Sequence, residues 1–308
     1  MKIDIIEPVG RAIQTTRRIL FSPFDFVKWC GMGFTAMLGA DFFTFSGVNS
    51  LPAGDDDGGS GLAGLVETAL EYRIQIALAV AAVLALGVAM LWIRSRGQFM
   101  FLDNLARNAG EIREPWRRLQ PLGNSLFRFM LAMVAAGLVC LMALALVSVL
   151  VAMPDIRRHI FGLNSAGAIA IGALGLGLII LAWSVVSLLT EDFVVPIMYA
   201  ANSDVIQAWH ELLELLRLNK GAFALYVLFR LLLESGVRAL AMLLCAATCC
   251  IALLPFAGTV LRLPLLVFRR AYPLSVLEQF GGRYRLLPAE WPAPPTIPGP
   301  ASRAPGPT

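Results

Sequence analysis

Hydrophobic and polar positions along this chain alternate on two length scales. Long, almost uninterrupted hydrocarbon runs cover residues 26–45, 74–93, 129–153, 166–189, 221–246 and 250–268. A helix that crosses a bilayer needs about 20 mostly apolar residues, so these runs predict six transmembrane helices in an all-α polytopic bundle. Between them lie stretches with helical periodicity. In Pro8–Leu20, Val9, Ala12, Ile13, Thr16 and Leu20 form a stripe opposite Arg11, Arg17 and Arg18. In Ser203–Leu218, Val205, Trp209, Leu212 and Leu216 oppose Gln207, Glu211 and Glu214, and Ser203 or Asp204 can cap the helix. The stretch from Asp103 through Pro115, Trp116, Arg117 and Arg118 occupies the corresponding place before the third run. Aromatic lead-ins follow each: Phe21, Phe24, Phe26 and Trp29, then Phe127 and Phe129, then Phe223, Tyr226 and Phe229. The pattern predicts three hairpins, each preceded by a cytoplasmic interfacial helix.

Composition agrees with this picture. Of 308 residues, 58% are hydrophobic and 15% charged, with mean hydropathy +0.73; soluble domains carry about a quarter charged residues. The longest hydrophilic pieces, Arg94–Ser125, Thr190–Lys220 and the segment after Arg269, are each shorter than the roughly 50 residues a separate domain needs. One integral membrane domain, 1–286, is therefore expected. A Pro-rich tail, 287–308, should stay disordered with polyproline II character.

Charge placement orients the chain. Lys2, Arg11, Arg17 and Arg18 precede the first run, and Arg94, Arg96, Arg107, Arg113, Arg117 and Arg118 follow the second. Asp55, Asp56, Asp57, Glu67 and Glu71 lie between them. By the positive-inside rule both termini are cytoplasmic and the acidic loop faces out. This orientation explains the basicity without a nucleic-acid partner. No cleavable leader is expected, since residues 1–25 are polar and amphipathic. The final apolar stretch is open to two readings. Two spans turning between Cys245 and Gly258 would leave the tail inside; one tilted span with a peripheral helix would leave it outside. Arg269 and Arg270 favour the first.

Two polar groups stand out against the hydrocarbon. Arg230, Glu234 and Arg238 are spaced by four and so share one helix face. A charge inside a span costs a few kcal/mol unless paired or snorkelled, so the trio is either a self-neutralising ladder or a substrate site. Glu191, Asp192 and Pro196 end the fourth run, where Pro should break or kink the helix. Such a break could expose carbonyls and carboxylates to a cavity, as in transporters. Asp41 belongs at a span mouth, and Lys28, Arg128 and Arg262 read as snorkelling residues. Cys30, Cys140, Cys245, Cys249 and Cys250 all fall in apolar runs and read as small buried hydrophobes. His210-Glu211 lacks the second His of a zinc-protease helix. No catalytic residue, metal site or cofactor is expected, and the chain reads as no enzyme.

Glu191–Met198 followed by Ala208-Trp209, and Leu254–Leu261 through Leu263-Pro264, Val267–Arg269 and Ala271-Tyr272 to Leu277–Tyr284, resemble uncharacterised multi-pass bacterial membrane proteins. These are distantly similar to the membrane domain attached to some glycerophosphodiester phosphodiesterases. The resemblance implies a bacterial inner membrane and carries no chemistry, because the catalytic barrel has no counterpart here. The expected function is a non-catalytic scaffold or accessory partner in envelope or lipid-related processes. The alternative is a small transporter or channel built on the third hairpin and the Glu191–Pro196 break. The expected partners are the lipid bilayer and either another membrane protein or a second copy of this chain.

Overall fold

Both kinds of stretch fold as helices. The computed structural model describes residues 4, 7–21, 24–39, 72–158, 162–247, 259–260 and 262–287, and among them every regular element is helical. In chain order these are α1 (Glu7–Phe21), α2 (Phe26–Gly39), α3 (Arg73–Arg107), α4 (Arg113–Arg118), α5 (Gln120–Arg158) and α6 (Leu163–Leu189). A π turn, Thr190–Val194, then leads into α7 (Val195–Ala201), α8 (Val205–Leu218), α9 (Lys220–Ala247) and α10 (Leu263–Leu277).

The molecule has two zones with opposite burial. Among the described residues three helices are long and apolar enough to cross a membrane: Arg73–Arg107, Gln120–Arg158 and the continuous run Leu163–Ala201. Their apolar parts are left uncovered by protein, with Val83 and Leu84, Val139 and Met142, and Leu174 and Leu178 all exposed. α5 and α6 do pack on each other, Gly175 against Leu144 and Gly137 against Trp183, as small residues permit in lipid. The core gathers at one end instead. Three segments there are buried almost without interruption: Ser95–Leu105 of α3, Thr190–Met198 across the π turn, and Ala271–Leu277 of α10. Around them lie Ile19 and Leu20 of α1, Met32 of α2, Leu122 and Leu126 of α5, Leu212 of α8 and Phe223 and Tyr226 of α9. Burial on all sides explains why these segments show no polar stripe.

Many polar groups inside this head are bonded. Asp103, 1% exposed, accepts from Arg118 and from the Tyr199 hydroxyl at 2.6 Å, with Arg107 at 3.3 Å. The Asn104 amide donates to Glu111 O (2.9 Å) and Thr35 Oγ1 (3.3 Å), tying α3 to α2 and to the following loop. Val205 N–H at the start of α8 donates to Ser125 Oγ (3.2 Å) on α5, and Asp204 makes no side-chain cap. Asp4 and Gln279 exchange two hydrogen bonds (2.9 and 2.7 Å), closing α1 onto the far end of α10. The Tyr284 hydroxyl donates to Glu211, and burial together with that carboxylate pushes its pKa up to about 12. At the opposite end Asp155 folds back to accept from Gly162 N, Ser165 N and Asn164 Nδ2 (3.1, 2.8 and 2.9 Å), capping α6.

Several expectations are corrected here. Among the described residues three helices, not six, have the length and composition of a span. The expected first span, 26–45, is described only as the 14-residue α2, with Gly31, Met32, Gly33, Thr35 and Ala36 buried. The expected fifth span, 221–246, is a 28-residue helix, but its charged residues keep it out of that class. The expected sixth span, 250–268, overlaps α10 from Leu263, and Leu263 and Val267 belong to the buried head. Residues 40–71, with Asp41 and the acidic loop, lie outside the described residues, as do the turn region 248–258 and the tail from 288. Lys28 does not snorkel; its ammonium donates to Ile19 O (2.7 Å) and to Asn108 Oδ1, fastening α2 to α1 and to the loop after α3. Cys140 is exposed on the uncovered part of α5, not buried. Ile13 of the expected α1 stripe is 55% exposed, while Ile19 is buried.

Close backbone approach fixes α2 against α3. A Cβ at Gly31 would meet Gly110 O at 2.2 Å, and one at Gly97 would meet Gly39 N at 2.5 Å, whereas one at Gly87 meets nothing within 4 Å. Gly31→Ala and Gly97→Ala should each destabilise the detergent-solubilised protein by about 1–3 kcal/mol, and Gly87→Ala should be neutral or slightly stabilising. Thermal unfolding of the three variants checks this; equal midpoints would show that the α2–α3 crossing is looser than described.

Candidate functional site

The site begins with a backbone defect. α6 does not break before Pro196; it widens into the π turn and continues as α7. Proline in a helix interior lacks a donor and its ring clashes with the carbonyl four residues back, here Asp192. The wider turn accommodates this, with Val195 N–H bonding Thr190 O, a five-residue step. The carbonyl of Glu191 then has no helical donor. Residue 195 is already used, and residue 196 is the proline. Arg270 of α10 supplies the missing bond, its Nη1 donating to Glu191 O at 2.6 Å. π turns of this kind often mark functional positions.

The two side chains of the π turn go separate ways. Glu191 pairs with Arg94, the first charged residue after the apolar part of α3. Asp192, 4% exposed, accepts from Arg230 Nε at 2.9 Å and from the Tyr226 hydroxyl at 2.8 Å, both on α9. Arg230, 3% exposed, also donates through Nη1 to Glu234 Oε2 at 2.9 Å. Glu234 is further approached by Arg269 Nε at 3.3 Å and Arg238 Nε at 3.5 Å. Aromatic rings enclose the ion pairs: Tyr226 stacks on Tyr272 at 5.7 Å, and Phe193 meets Tyr226 edge-on at 4.8 Å.

The two groups singled out from sequence, Arg230/Glu234/Arg238 and Glu191/Asp192/Pro196, are thus one cluster. Arg230 joins them, and Arg238 hangs at the edge with its side chain 70% exposed. The trio is not a self-contained ladder, since its central charges reach Asp192 and Arg269. Nor is Glu234 remote from the head: its contact with Arg269 puts it beside the buried end of α10. Sequence reasoning passed over Arg94, Tyr226, Arg269 and Arg270. The arginines read as orientation signals and the tyrosine as an interfacial aromatic; only the Arg-Arg pair directly after a hydrocarbon run hinted at more.

Chemically the cluster is basic. Arg94, Arg230, Arg238, Arg269 and Arg270 face Glu191, Asp192 and Glu234, an excess of two positive charges. Each carboxylate already holds a guanidinium, an arrangement suited to holding anions rather than moving protons. Among the described residues no three His, Cys, Asp or Glu side chains come together to ligate a metal. Beside the cluster a crevice of about 40 Å³ lies between α3, α5 and α6, lined by Leu91, Arg94, Phe129, Trp183, Ser187 and Glu191. A second arginine, Arg96, lies over the rings of Trp92 (4.1 Å) and Trp116 (5.0 Å) and donates to Asn124 Oδ1 at 3.0 Å.

A family model described as a family of unknown function, DUF7544, matches residues 3–266. The chain belongs to this family. No curated protein matches it. No solved structure matches it either. The likeness to the membrane domain of glycerophosphodiester phosphodiesterases is not among these findings; the shown relationship is to DUF7544 alone. The matched residues span the helices that build the cluster up to Leu266 of α10, so the family covers Glu191, Asp192 and Arg230 but stops short of Arg269 and Arg270.

Truncating the shared, buried arginine should cost far more than truncating the exposed one. Arg230→Ala strands Asp192, and loss of one member of a buried pair costs about 3–5 kcal/mol; Arg238→Ala should cost no more than about 0.5 kcal/mol. Replacing Arg230, Asp192 and Glu234 together by leucine should recover much of the loss. Thermal unfolding in detergent decides: similar midpoints for the two alanine variants would remove Arg230 from the centre of the cluster.

Proposed function

We propose that this chain is an integral protein of the bacterial inner membrane that serves as a non-catalytic scaffold or accessory partner in lipid-related processes. The observation that carries the reading is the division of burial. Three long apolar helices stand uncovered, while polar and apolar groups alike are packed away at one end. Uncovered apolar length needs lipid to cover it, and a packed head needs water beside it. In this reading the head is cytoplasmic, with Arg113, Arg117 and Arg118 on its surface, and Asp155 caps the outer end of the second hairpin.

The six-span arrangement belongs to the same proposal, with α2 and α9 as the inward legs of the first and third hairpins. From Glu234 to Ala247 α9 extends about 20 Å at 1.5 Å per residue, and the chain must return for α10 to reach Glu234 through Arg269. The distant likeness of the helix-end motifs to a lipid phosphodiesterase's membrane domain is the reason for favouring lipid-related processes.

A transport route is the second reading. It is disfavoured by the way Arg230, Tyr226 and Asp192 fill their site, each under 5% exposed and bonded to one another. Labelling with a membrane-impermeant maleimide tests both points in a cysteine-free background. Asn164→Cys should react in intact cells and Glu114→Cys only after permeabilisation. Ser187→Cys, in the crevice wall, should stay unreactive from either side. Glu114→Cys reacting in intact cells would invert the topology, and Ser187→Cys reacting would favour a conduit over a scaffold.

A further inference from the structure

One guanidinium in the cluster is incompletely used. Arg270 spends Nη1 on the Glu191 carbonyl, a neutral acceptor. Its Nε and Nη2 are buried and have no hydrogen-bond partner among the described residues. Those two nitrogens form the side-on edge of the guanidinium fork, whose parallel N–H vectors match two oxygens of a carboxylate or phosphate. The carboxylates that could have taken this edge are committed elsewhere: Asp192 to Arg230 and Tyr226, Glu234 to Arg230, Arg269 and Arg238, and Glu191 to Arg94. A charged donor left buried without an acceptor is strongly unfavourable, yet here the surrounding arginines add a net excess of positive charge. The level matters too. Arg94 and Glu191 follow the apolar parts of α3 and α6, and Trp92, two residues before Arg94 and edge-on to Trp116, lies near this level, as at a headgroup belt.

We propose that Arg270, through Nε and Nη2, binds a phosphate oxyanion, with Arg269 beside it in sequence and the excess positive charge of the cluster holding the anion in place. The oxyanion is that of a phospholipid headgroup or of free phosphate. Only the headgroup source rests on the membrane reading above.

The test uses the full chain in detergent, with inorganic phosphate and phosphatidic acid as separate probes, read by thermal stabilisation and by counting bound molecules in native mass spectrometry. Both Arg270→Lys and Arg270→Gln keep a donor for the Glu191 carbonyl but lose the fork, so at least one should fold. In the folded variant, binding of the effective probe should weaken by more than about tenfold relative to wild type, while Arg238→Lys should leave it unchanged. Stabilisation by phosphate alone identifies a free oxyanion, and stabilisation only by phosphatidic acid identifies a headgroup; either supports the site. Wild type unmoved by both probes, or an Arg270 variant binding as tightly as wild type, overturns it. A chain that binds phosphate but does not sediment with membranes keeps the site and sinks the membrane reading.

Discussion

The carbonyl of Glu191 is the constraint around which the head is organised. Pro196 removes one of the two N–H groups that could satisfy it, and the π turn diverts the other to Thr190. An unpaired backbone acceptor in a packed interior costs roughly as much as a lost hydrogen bond. The remedy comes from α10, 79 residues away, through Arg270. Once α10 is held there, Arg269 reaches Glu234, and Tyr272 stacks on Tyr226. A local sequence defect is thereby converted into a long-range fixing of α10 and α9 against the π turn.

The same turn aims Glu191 and Asp192 in different directions, and this makes one junction of three helices. Glu191 takes Arg94 from α3; Asp192 takes Arg230 from α9. Ion pairs at this depth are weak evidence for stability by themselves, because desolvation offsets most of the attraction. Their value lies in register. The Glu191–Arg94 pair is satisfied only when the apolar lengths of α3 and α6 end at the same level, a condition that helices sharing one slab of lipid would also have to meet.

How much of this the sequence displayed depends on distance along the chain. Helical class, element order and the candidate residues Glu191, Asp192, Arg230 and Glu234 followed from periodicity and from charges placed in hydrocarbon. Their union did not, since Arg230 and Asp192 lie 38 residues apart and no local pattern records such a contact. Nor does the hydropathy of the run 221–246 tell where α9 leaves the packed protein. In fact Phe223 and Tyr226 are inside the packed head, so the first turns of α9 belong to that head. The described end of the expected sixth span shows the same limit. Leu263 and Val267 lie in this apolar run yet are buried in protein, and hydropathy alone does not separate burial in protein from burial in lipid.

Arginine carries two kinds of information in this chain. Arg94 and the Arg269-Arg270 pair each stand at the end of a hydrocarbon run, where loop charge sets orientation. The fold then draws those same residues inward to hold Glu191, Glu234 and a backbone carbonyl. A lysine would serve the first purpose as well. Bonding a carbonyl with one nitrogen while leaving a two-nitrogen edge open needs the planar fork of arginine. The choice of arginine at 270 is therefore better explained by what the side chain holds than by which side of the membrane it marks.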